Sequence, residues 1–261
     1  MTPLLALIDR GLDRFARLTY RPYHRALARA LAERGRLTIA VVGANDGKIN
    51  DPVYGFAQRH AEHTEMVLIE PQADLLAPLK DHYQHHPRTD IIHGAVGSTG
   101  PLTLYTVDPD VWPQTQPFYA KAWPNYRAPS GIASTEKARV LAWIGRYLDN
   151  PAEHLVATEI EARPLSDWLA HVQRPVRIDV LQVDTEGVDD QVIYQADLAT
   201  TQPVVIYFES KNLSPAKLDA LHAHLRQHGY RWRVILGNTL AERIEANSTP
   251  TPTPGRDGGA V

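Results

Sequence analysis

The feature of this sequence that most constrains its fold is the alternation of short apolar runs with segments of helical periodicity. The apolar runs are rich in β-branched residues and lack polar–apolar alternation, as expected for strands that are covered on both faces. Strands separated by helices predict βαβ units and therefore an α/β fold with a doubly wound, mainly parallel sheet. The predicted strands are Leu37–Val42, Glu65–Ile69, Thr89–His93, Leu102–Val107, Val176–Val183, Pro203–Phe208 and Tyr230–Leu236. The predicted helices are Val53–His60, Ala73–Tyr83, Glu136–Tyr147, Pro164–His171, Asp189–Ala196 and Pro215–His228.

Composition excludes several classes of protein. With 261 residues, of which 43% are hydrophobic and 22% are charged, the chain has the composition of a globular protein. A formal net charge of −3 gives no general attraction to phosphate backbones, so nucleic acid is not an expected partner. No apolar run approaches the roughly 20 residues of an integral membrane span. The chain has no cysteine, which excludes disulfides and thiolate chemistry and is compatible with the expected cytoplasmic location.

Three regions are expected along the chain. Residues 1–36 form a helical segment with apolar residues on one face, and residues 37–247 form the main domain. Packing of the N-terminal face on the main domain, or on a second subunit of a homo-oligomer, is favoured over binding to a membrane surface. Residues 248–261 have no apolar face to bury and are expected to be disordered. The apolar residues of the N-terminal face are Leu4, Leu5, Ile8, Leu12, Phe15 and Leu18.

An insertion over residues 107–151 interrupts the alternation within the main domain. A long insertion in a compact domain is usually functional or disordered, and the aromatic content of this one argues against disorder. Its aromatic residues have two interpretations, a lid or acceptor pocket that stacks on a substrate, or a packed sub-core. These residues are Trp112, Phe118, Tyr119, Trp123 and Tyr126.

The first candidate site is the stretch "TIAVVGANDGKIN", from Thr38 to Asn50, where a predicted strand leads through a loop into a helix. Glycines in this loop permit a tight turn and let a ligand approach the backbone. A dinucleotide-binding loop is excluded because Asn45 stands where its second glycine belongs. A phosphate-binding P-loop is excluded because the segment is one residue too short and Ile49 replaces the required hydroxyl.

A carboxylate at the end of the second predicted strand points to a different ligand. Glu70 is placed to accept hydrogen bonds from the 2′,3′-diol of a ribose. A ligand that joins a ribose to an amino acid, without phosphates, fits this carboxylate together with the first loop. S-adenosylmethionine is such a ligand. Gly43 would admit its methionine part, loop amides would suit its carboxylate, and Asp46 would attract its ammonium group.

These residues, together with later motifs, resemble the FkbM-type methyltransferase family. The matching segments are "VVGANDG", "LIEP", "HGAVGSTGPLTLYTV", "RPLSDWL", "RIDVLQVDTEGVDDQVI" and "PVVIYFES", in the order of the family and over roughly residues 37–211. The resemblance implies a class I methyltransferase (Rossmann-like) fold that uses S-adenosylmethionine, usually to methylate a hydroxyl of a sugar or other small metabolite. The implied cofactor-binding residues are Gly43, Ala44, Asn45, Asp46, Gly47, Glu70, Pro71, Ala95 and Asp184. Two features depart from the family: Asp46 stands where an apolar residue is frequent, and the aromatic insertion is longer.

Acidic residues follow two later strands. Asp184 and Glu186 follow the predicted strand Val176–Val183, and Glu209 follows the next one. If these strands are neighbours, the three carboxylates converge at one edge of the cofactor cleft. They could bind a divalent cation such as Mg²⁺ or Mn²⁺, with Asn212 as a neutral oxygen ligand. They could instead act as a general base, or only hydrogen-bond a substrate.

The acceptor atom is expected to be oxygen. Methyltransferases that act on base or amide nitrogens often carry a [DN]-P-P-[YF] segment after the fourth strand, and the segment that begins at Asp184 does not match it. The expected function is therefore S-adenosylmethionine-dependent O-methylation of a sugar-containing or other small metabolite, with the need for a divalent metal left open. The alternative is a binding protein on the same fold that has lost catalysis.

Overall fold

The computed structural model describes residues 20–117, 120, 123–127, 131–172 and 174–244. Three of the predicted features lie outside these residues: the N-terminal apolar face up to Leu18, the aromatic residues Phe118 and Tyr119, and the tail over 248–261. The described part forms two β-sheets, and helices cover both faces of the larger one.

The larger sheet has the predicted doubly wound, mainly parallel architecture. Its seven strands lie in the order β3-β2-β1-β7-β8-β10-β9. The first five in this order are parallel to one another, whereas β10 is antiparallel to both β8 and β9. The strands of this sheet are β1 (Leu37–Val42), β2 (Thr64–Glu70), β3 (Thr89–His93), β7 (Val180–Val183), β8 (Val205–Glu209), β9 (Tyr230–Ile235) and β10 (Asn238–Arg243).

Strand β1 shows why its apolar residues do not alternate with polar ones. Ile39 and Val41 face one layer of helices, while Ala40 and Val42 face the other, so all four side chains are buried. The first layer contains α1 (residues 20–34), α2 (Tyr54–Arg59) and α3 (Ala73–Tyr83). The second contains α6 (Leu165–Ala170), α7 (Asp189–Gln195), α8 (Leu198–Thr201) and α9 (Pro215–Gln227). No helix within the described ranges is long and apolar enough to cross a membrane.

A smaller sheet of three strands lies beside the main one. Its strands are β4 (Ala95–Val96), β5 (Gly100–Val107) and β6 (Leu155–Arg163), in the order β4-β6-β5. Between β5 and β6 lie α4 (Trp112–Thr115) and α5 (Lys137–Ile144), which belong to the predicted insertion. Helix α5 and the start of the insertion enclose a separate small core that includes Val107, Val140 and Ile144.

The strand predictions were wrong at four places. Strands β4, β6 and β10 are not among the predicted strands, because β4 has only two residues and the polar residues of β6 and β10 hide the apolar pattern. Cross-strand pairing defines them instead, since β6 pairs with β4 and, over most of its length, with β5, and β10 lies between two strands. The predicted strand Val176–Val183 is shorter at its start, because pairing with β1 begins only at Val180. Just before it, the Asp179 carboxylate accepts a hydrogen bond from the Thr38 amide.

Candidate active site

A cleft opens at the carboxyl ends of the parallel strands, where β1 lies between β2 and β7. The chain order reverses between these neighbours, and open α/β sheets bind ligands at such a switch point. The cleft has an inner half of about 230 Å³ and an outer half of about 460 Å³. The inner half is lined by residues that include Gly43, Glu70, Ala95, Asp184 and Glu186. Both halves share a boundary formed in part by Asn45, Pro71, Arg127 and Gly131.

Glu70 anchors the first loop at the inner end of this cleft. One of its oxygens accepts a hydrogen bond from the Asn45 amide (2.7 Å), and the other accepts from the amide and side chain of Gln72 (2.8 and 3.2 Å). Burial raises the pKa of Glu70, and these hydrogen bonds oppose the rise. Gly43 has φ +80° and lies so close to the Asp184 carbonyl oxygen that a Cβ would collide with it. The loop is therefore fixed against the ends of both neighbouring strands.

Three residues of the predicted cofactor loop are directed away from the cleft. Asp46 is fully buried below the loop, where Oδ1 accepts hydrogen bonds from the amides of Lys48 (3.1 Å) and Ile49 (3.0 Å). This placement differs from the prediction that Asp46 attracts the ammonium group of a ligand. Ala44 is part of the apolar core, and a Cβ on Gly47 would collide with helix α3. These residues shape the loop from beneath.

Arg127 reaches the first loop from the insertion, and the sequence did not single it out. Its Nη2 donates to the Ile49 carbonyl (2.9 Å), and its Nε lies 3.5 Å from Asp46 Oδ1. The side chain is only 6% exposed and packs over the Trp123 ring. A single arginine in an aromatic insertion carries no signal for a hydrogen-bond acceptor 78 residues earlier. Only the folded chain reveals this contact and the ion pair with Asp46.

The three predicted carboxylates meet at the ends of β7 and β8. Asp184, Glu186 and Glu209 each offer an oxygen, and these atoms all lie within 4.8 Å of one another. Partial exclusion of water inside the cleft and the charges of its two neighbours raise the pKa of Asp184 well above its ordinary value. Burial and the charge of Glu209 raise the pKa of Glu186 to about 7, against the opposing effect of Arg139. Asp184 and Glu186 therefore hold their protons more strongly than ordinary carboxylates.

Two of these carboxylates already have protein partners. Glu186 forms an ion pair with Arg139, and Glu209 forms one with Lys211. The Asn212 side-chain amide donates from Nδ2 to both glutamates. This orientation differs from the prediction that Asn212 offers an oxygen to a metal ion. The Asp184 carboxylate faces the cleft, and no described residue donates a hydrogen bond to it.

A short segment within the insertion, residues 131–135, lines both halves of the cleft, and we call it the strap. Ser134 exchanges backbone hydrogen bonds with Tyr105 of β5 (2.9 and 3.1 Å), while its hydroxyl donates to the Glu186 carbonyl (3.0 Å). Glu186 itself has φ +55°, an uncommon conformation for a residue with a side chain. Gly131, with φ +67°, leaves space for this side chain, since a Cβ there would lie 2.8 Å from Glu186 Oε1. The strap thus joins the smaller sheet to Asp184, Glu186 and Glu209, which we call the acidic cluster.

The aromatic residues of the insertion have mixed positions. Trp112 packs against the small core around Val107 and donates its indole N–H to the Val107 carbonyl (2.9 Å). Trp112 and Tyr126 also line the outer half of the cleft, together with Thr106 and Thr158. Both interpretations of the insertion therefore have support in the described residues.

The sheet order and the cleft at its switch point define a class I methyltransferase fold. Residues 42–232 match the family model described as the Methyltransferase FkbM domain, which is most of the chain. The chain therefore belongs to the FkbM methyltransferase family and is an S-adenosylmethionine-dependent methyltransferase, as its sequence motifs predicted. No curated protein sequence matches it.

Several solved methyltransferases are similar to this chain at low sequence identity. Human methyltransferase-like protein 13 in complex with SAH is 12% identical, with 82% of this chain and 74% of that chain covered and a TM-score of 0.41. An SAH-bound Podospora anserina methyltransferase is 9% identical, with the same coverages and TM-score. The precorrin-6y C5,15-methyltransferase of Geobacter metallireducens is 9% identical, with coverages of 79% and 78% and a TM-score of 0.38.

Proposed function

We propose that this methyltransferase transfers the methyl group of S-adenosylmethionine to a hydroxyl of a sugar-containing or other small metabolite. The observation that carries the proposal is the convergence of Asp184, Glu186 and Glu209 beside Gly43, at the end of the sheet where ligands bind. An alcohol is a weak nucleophile, so its methylation needs a group that removes or polarises its proton. The acidic cluster supplies such groups.

The cofactor is assigned to the inner half of the cleft. The ribose diol binds Glu70, whose carboxylate can accept about four hydrogen bonds and receives three from the described residues. The longest of these, from the Gln72 side chain at 3.2 Å, is the easiest to exchange for a ribose hydroxyl. The adenine lies against Pro71 and Ala95, and the methionine part lies beside Gly43. This placement brings the sulfonium methyl towards Asp184.

Asp184 is assigned the role of general base. Its carboxylate faces the cleft without a protein donor, and its raised pKa makes it a stronger base than an ordinary aspartate. In the reaction, the acceptor oxygen attacks the methyl carbon, the methyl–sulfur bond breaks towards sulfur, and the hydroxyl proton passes to Asp184. The products are a methyl ether and S-adenosylhomocysteine. Glu186 and Glu209, held by Arg139 and Lys211, orient the acceptor.

A divalent cation is the competing explanation for the same cluster. Hard cations bind carboxylate oxygens and would acidify a coordinated hydroxyl. The partners of the glutamates favour the base instead, because two protein cations and the Asn212 amide already compensate their charge. An excess of chelator is therefore expected to leave turnover unchanged. Loss of turnover in chelator, with recovery in Mg²⁺ or Mn²⁺, would assign the cluster to a metal.

The catalytic assignment is tested by replacing Asp184. Formation of S-adenosylhomocysteine is measured with a panel of hydroxylated acceptors, glycosides first, since the aromatic and hydroxyl side chains of the outer half suit a sugar. Asp184→Asn should lower kcat by at least about 100-fold, the usual contribution of a general base, and retain cofactor affinity. Asp219→Asn, an exposed change on α9, is the control. Normal kcat in both Asp184→Asn and Glu209→Gln would remove the acidic cluster from catalysis.

A further inference from the structure

Arg127 leaves part of its hydrogen-bonding capacity unused although its side chain is buried. A guanidinium has five N–H donors. Nη2 donates to the Ile49 carbonyl and Nε faces Asp46, whereas no described residue accepts a hydrogen bond from Nη1. A buried donor without an acceptor is costly, so Nη1 points to an acceptor that a ligand supplies.

The charges that line the cleft indicate what that acceptor is. Arg127 lines both halves, and it is the only lysine or arginine among the described residues that line either half. Glu70, Asp184 and Glu186 line the inner half and would repel an anionic group of a ligand. Among the described side chains that line the cleft, Arg127 is therefore the one that supplies a permanent positive charge to an anion. The planar guanidinium suits a carboxylate in particular, because two parallel N–H groups can bind its two oxygens.

We propose that Arg127 binds the α-carboxylate of the methionine part of S-adenosylmethionine. The inference rests on the proposed function, which places the methionine part beside Gly43 and the first loop. Arg127 reaches that loop through the Ile49 carbonyl and lines the inner half of the cleft together with Gly43 and Asn45. The sulfonium and ammonium groups of the cofactor then face acidic side chains, while its carboxylate faces the arginine.

A pair of ligands that differ only in this carboxylate tests the assignment. Calorimetry measures the binding of S-adenosylhomocysteine and of its decarboxylated analogue, in which hydrogen replaces the carboxylate. The full-length protein is expected to bind S-adenosylhomocysteine at least about tenfold more tightly than the analogue. Arg127→Met, which retains the apolar stem, should abolish this preference by weakening S-adenosylhomocysteine alone. Arg127→Lys, which keeps the charge without the planar fork, should retain part of it.

A matched control separates ligand binding from loop support. Asp46→Asn removes the ion-pair partner of Arg127 but leaves its unused donors, so it should preserve the preference for the carboxylate. Because the preference is a ratio measured on one folded protein, a loss of stability does not alter it.

Three results would overturn the inference and leave the proposed function standing. Equal binding of the two ligands by the unmodified protein would show that the carboxylate has no dedicated partner. Equal weakening of both ligands by Arg127→Met would reduce Arg127 to a support of the loop. Unchanged S-adenosylhomocysteine affinity, with a raised acceptor KM, would assign the arginine to an anionic acceptor. Failure of the unmodified protein to bind either ligand would instead overturn the proposed function, and this inference with it.

Discussion

At the scale of single residues, Glu70 links the shape of the first loop to the proposed binding of the ribose. The residue is 2% exposed, and its carboxylate accepts hydrogen bonds from the backbone amides of Asn45 and Gln72. A ribose that binds this carboxylate therefore binds a group that is already oriented. Such fixed geometry is typical of groups that select one ligand.

Replacing Glu70 should weaken cofactor binding. Glu70→Ala removes one or two charge-assisted hydrogen bonds to the ribose, each worth about 1.5–3 kcal/mol. We expect at least about a tenfold loss of S-adenosylhomocysteine affinity in calorimetry, because about 1.4 kcal/mol corresponds to tenfold. Glu65→Ala is a matched control, since Glu65 lies near the other end of β2 in an ion pair with Arg174. Unchanged affinity in Glu70→Ala would show that the ribose lies elsewhere.

A site residue could be predicted from the sequence only where its immediate neighbours in the chain indicate its position in the fold. Glu70, Asp184 and Glu209 each stand at or just after the end of an apolar strand, and parallel strands bring such ends together. Arg127 and Ser134 contact the site through pairings with distant residues, so their neighbours in sequence reveal nothing of their position. The sequence also does not reveal in which direction a side chain points. Asp46, for example, is buried below the loop and does not face the cleft.

At the scale of structural elements, the strap ties the acidic cluster to the smaller sheet. Its contacts with Tyr105 and with the Glu186 carbonyl fix the turn after β7, where Glu186 has an uncommon backbone conformation. Strained residues persist at functional sites only where surrounding contacts hold them. The position of the carboxylates therefore depends on the strap as well as on the strands.

A methyl group added to the strap should disturb catalysis. Gly131→Ala combines a positive φ with a Cβ only 2.8 Å from Glu186 Oε1. Gly229→Ala has a similar φ of +79° and no atom within 4 Å, so it is a matched control for backbone strain. Both variants should lose about 1–2 kcal/mol of stability in denaturant unfolding. Only Gly131→Ala should lower kcat, by about tenfold or more. Equal kcat in the two variants would separate the strap from the reaction.

The order of elements was predictable because buried parallel strands carry an apolar signal in their own residues. Strand β1 and helix α3 have the predicted bounds, Leu37–Val42 and Ala73–Tyr83. Strands β6 and β10 gave no such signal, since β6 exposes residues such as Glu159 and Glu161, and hydrogen bonds to partners far along the chain define both strands.

At the scale of the whole molecule, buried acids make stability depend on pH. Burial raises the pKa of Asp51 to about 6, and burial together with the charge of Glu209 raises the pKa of Asp189 to about 7. A folded-state pKa above the unfolded value means that the native state binds the proton more tightly. The stabilisation that comes from this proton is fully present below about pH 4, which is the ordinary pKa of an aspartate. It is lost as the pH rises through the folded-state pKa.

Replacing one of these aspartates with asparagine should make the stability depend less on pH. The free energy of unfolding should fall between pH 5 and pH 8 in the unmodified protein. In Asp189→Asn this fall should be smaller by at least about 1.4 kcal/mol, the equivalent of one pKa unit. Urea unfolding at the two pH values measures the difference, with Asp219→Asn as the exposed control. Identical losses in all three proteins would mean that Asp189 does not titrate differently in the folded state.

The position of the last described strand has a consequence for synthesis of the chain. Strand β10 lies between β8 and β9, and its Asn238 pairs with Glu209 of the acidic cluster. The carbonyl of Gly237, just before β10, accepts hydrogen bonds from the amides of Ser210 and Lys211. While the protein emerges from the ribosome, one edge of β8 therefore stays unpaired, and open strand edges invite wrong partners. The end of the sheet that carries the three carboxylates closes only after β10, which ends at Arg243, has been made.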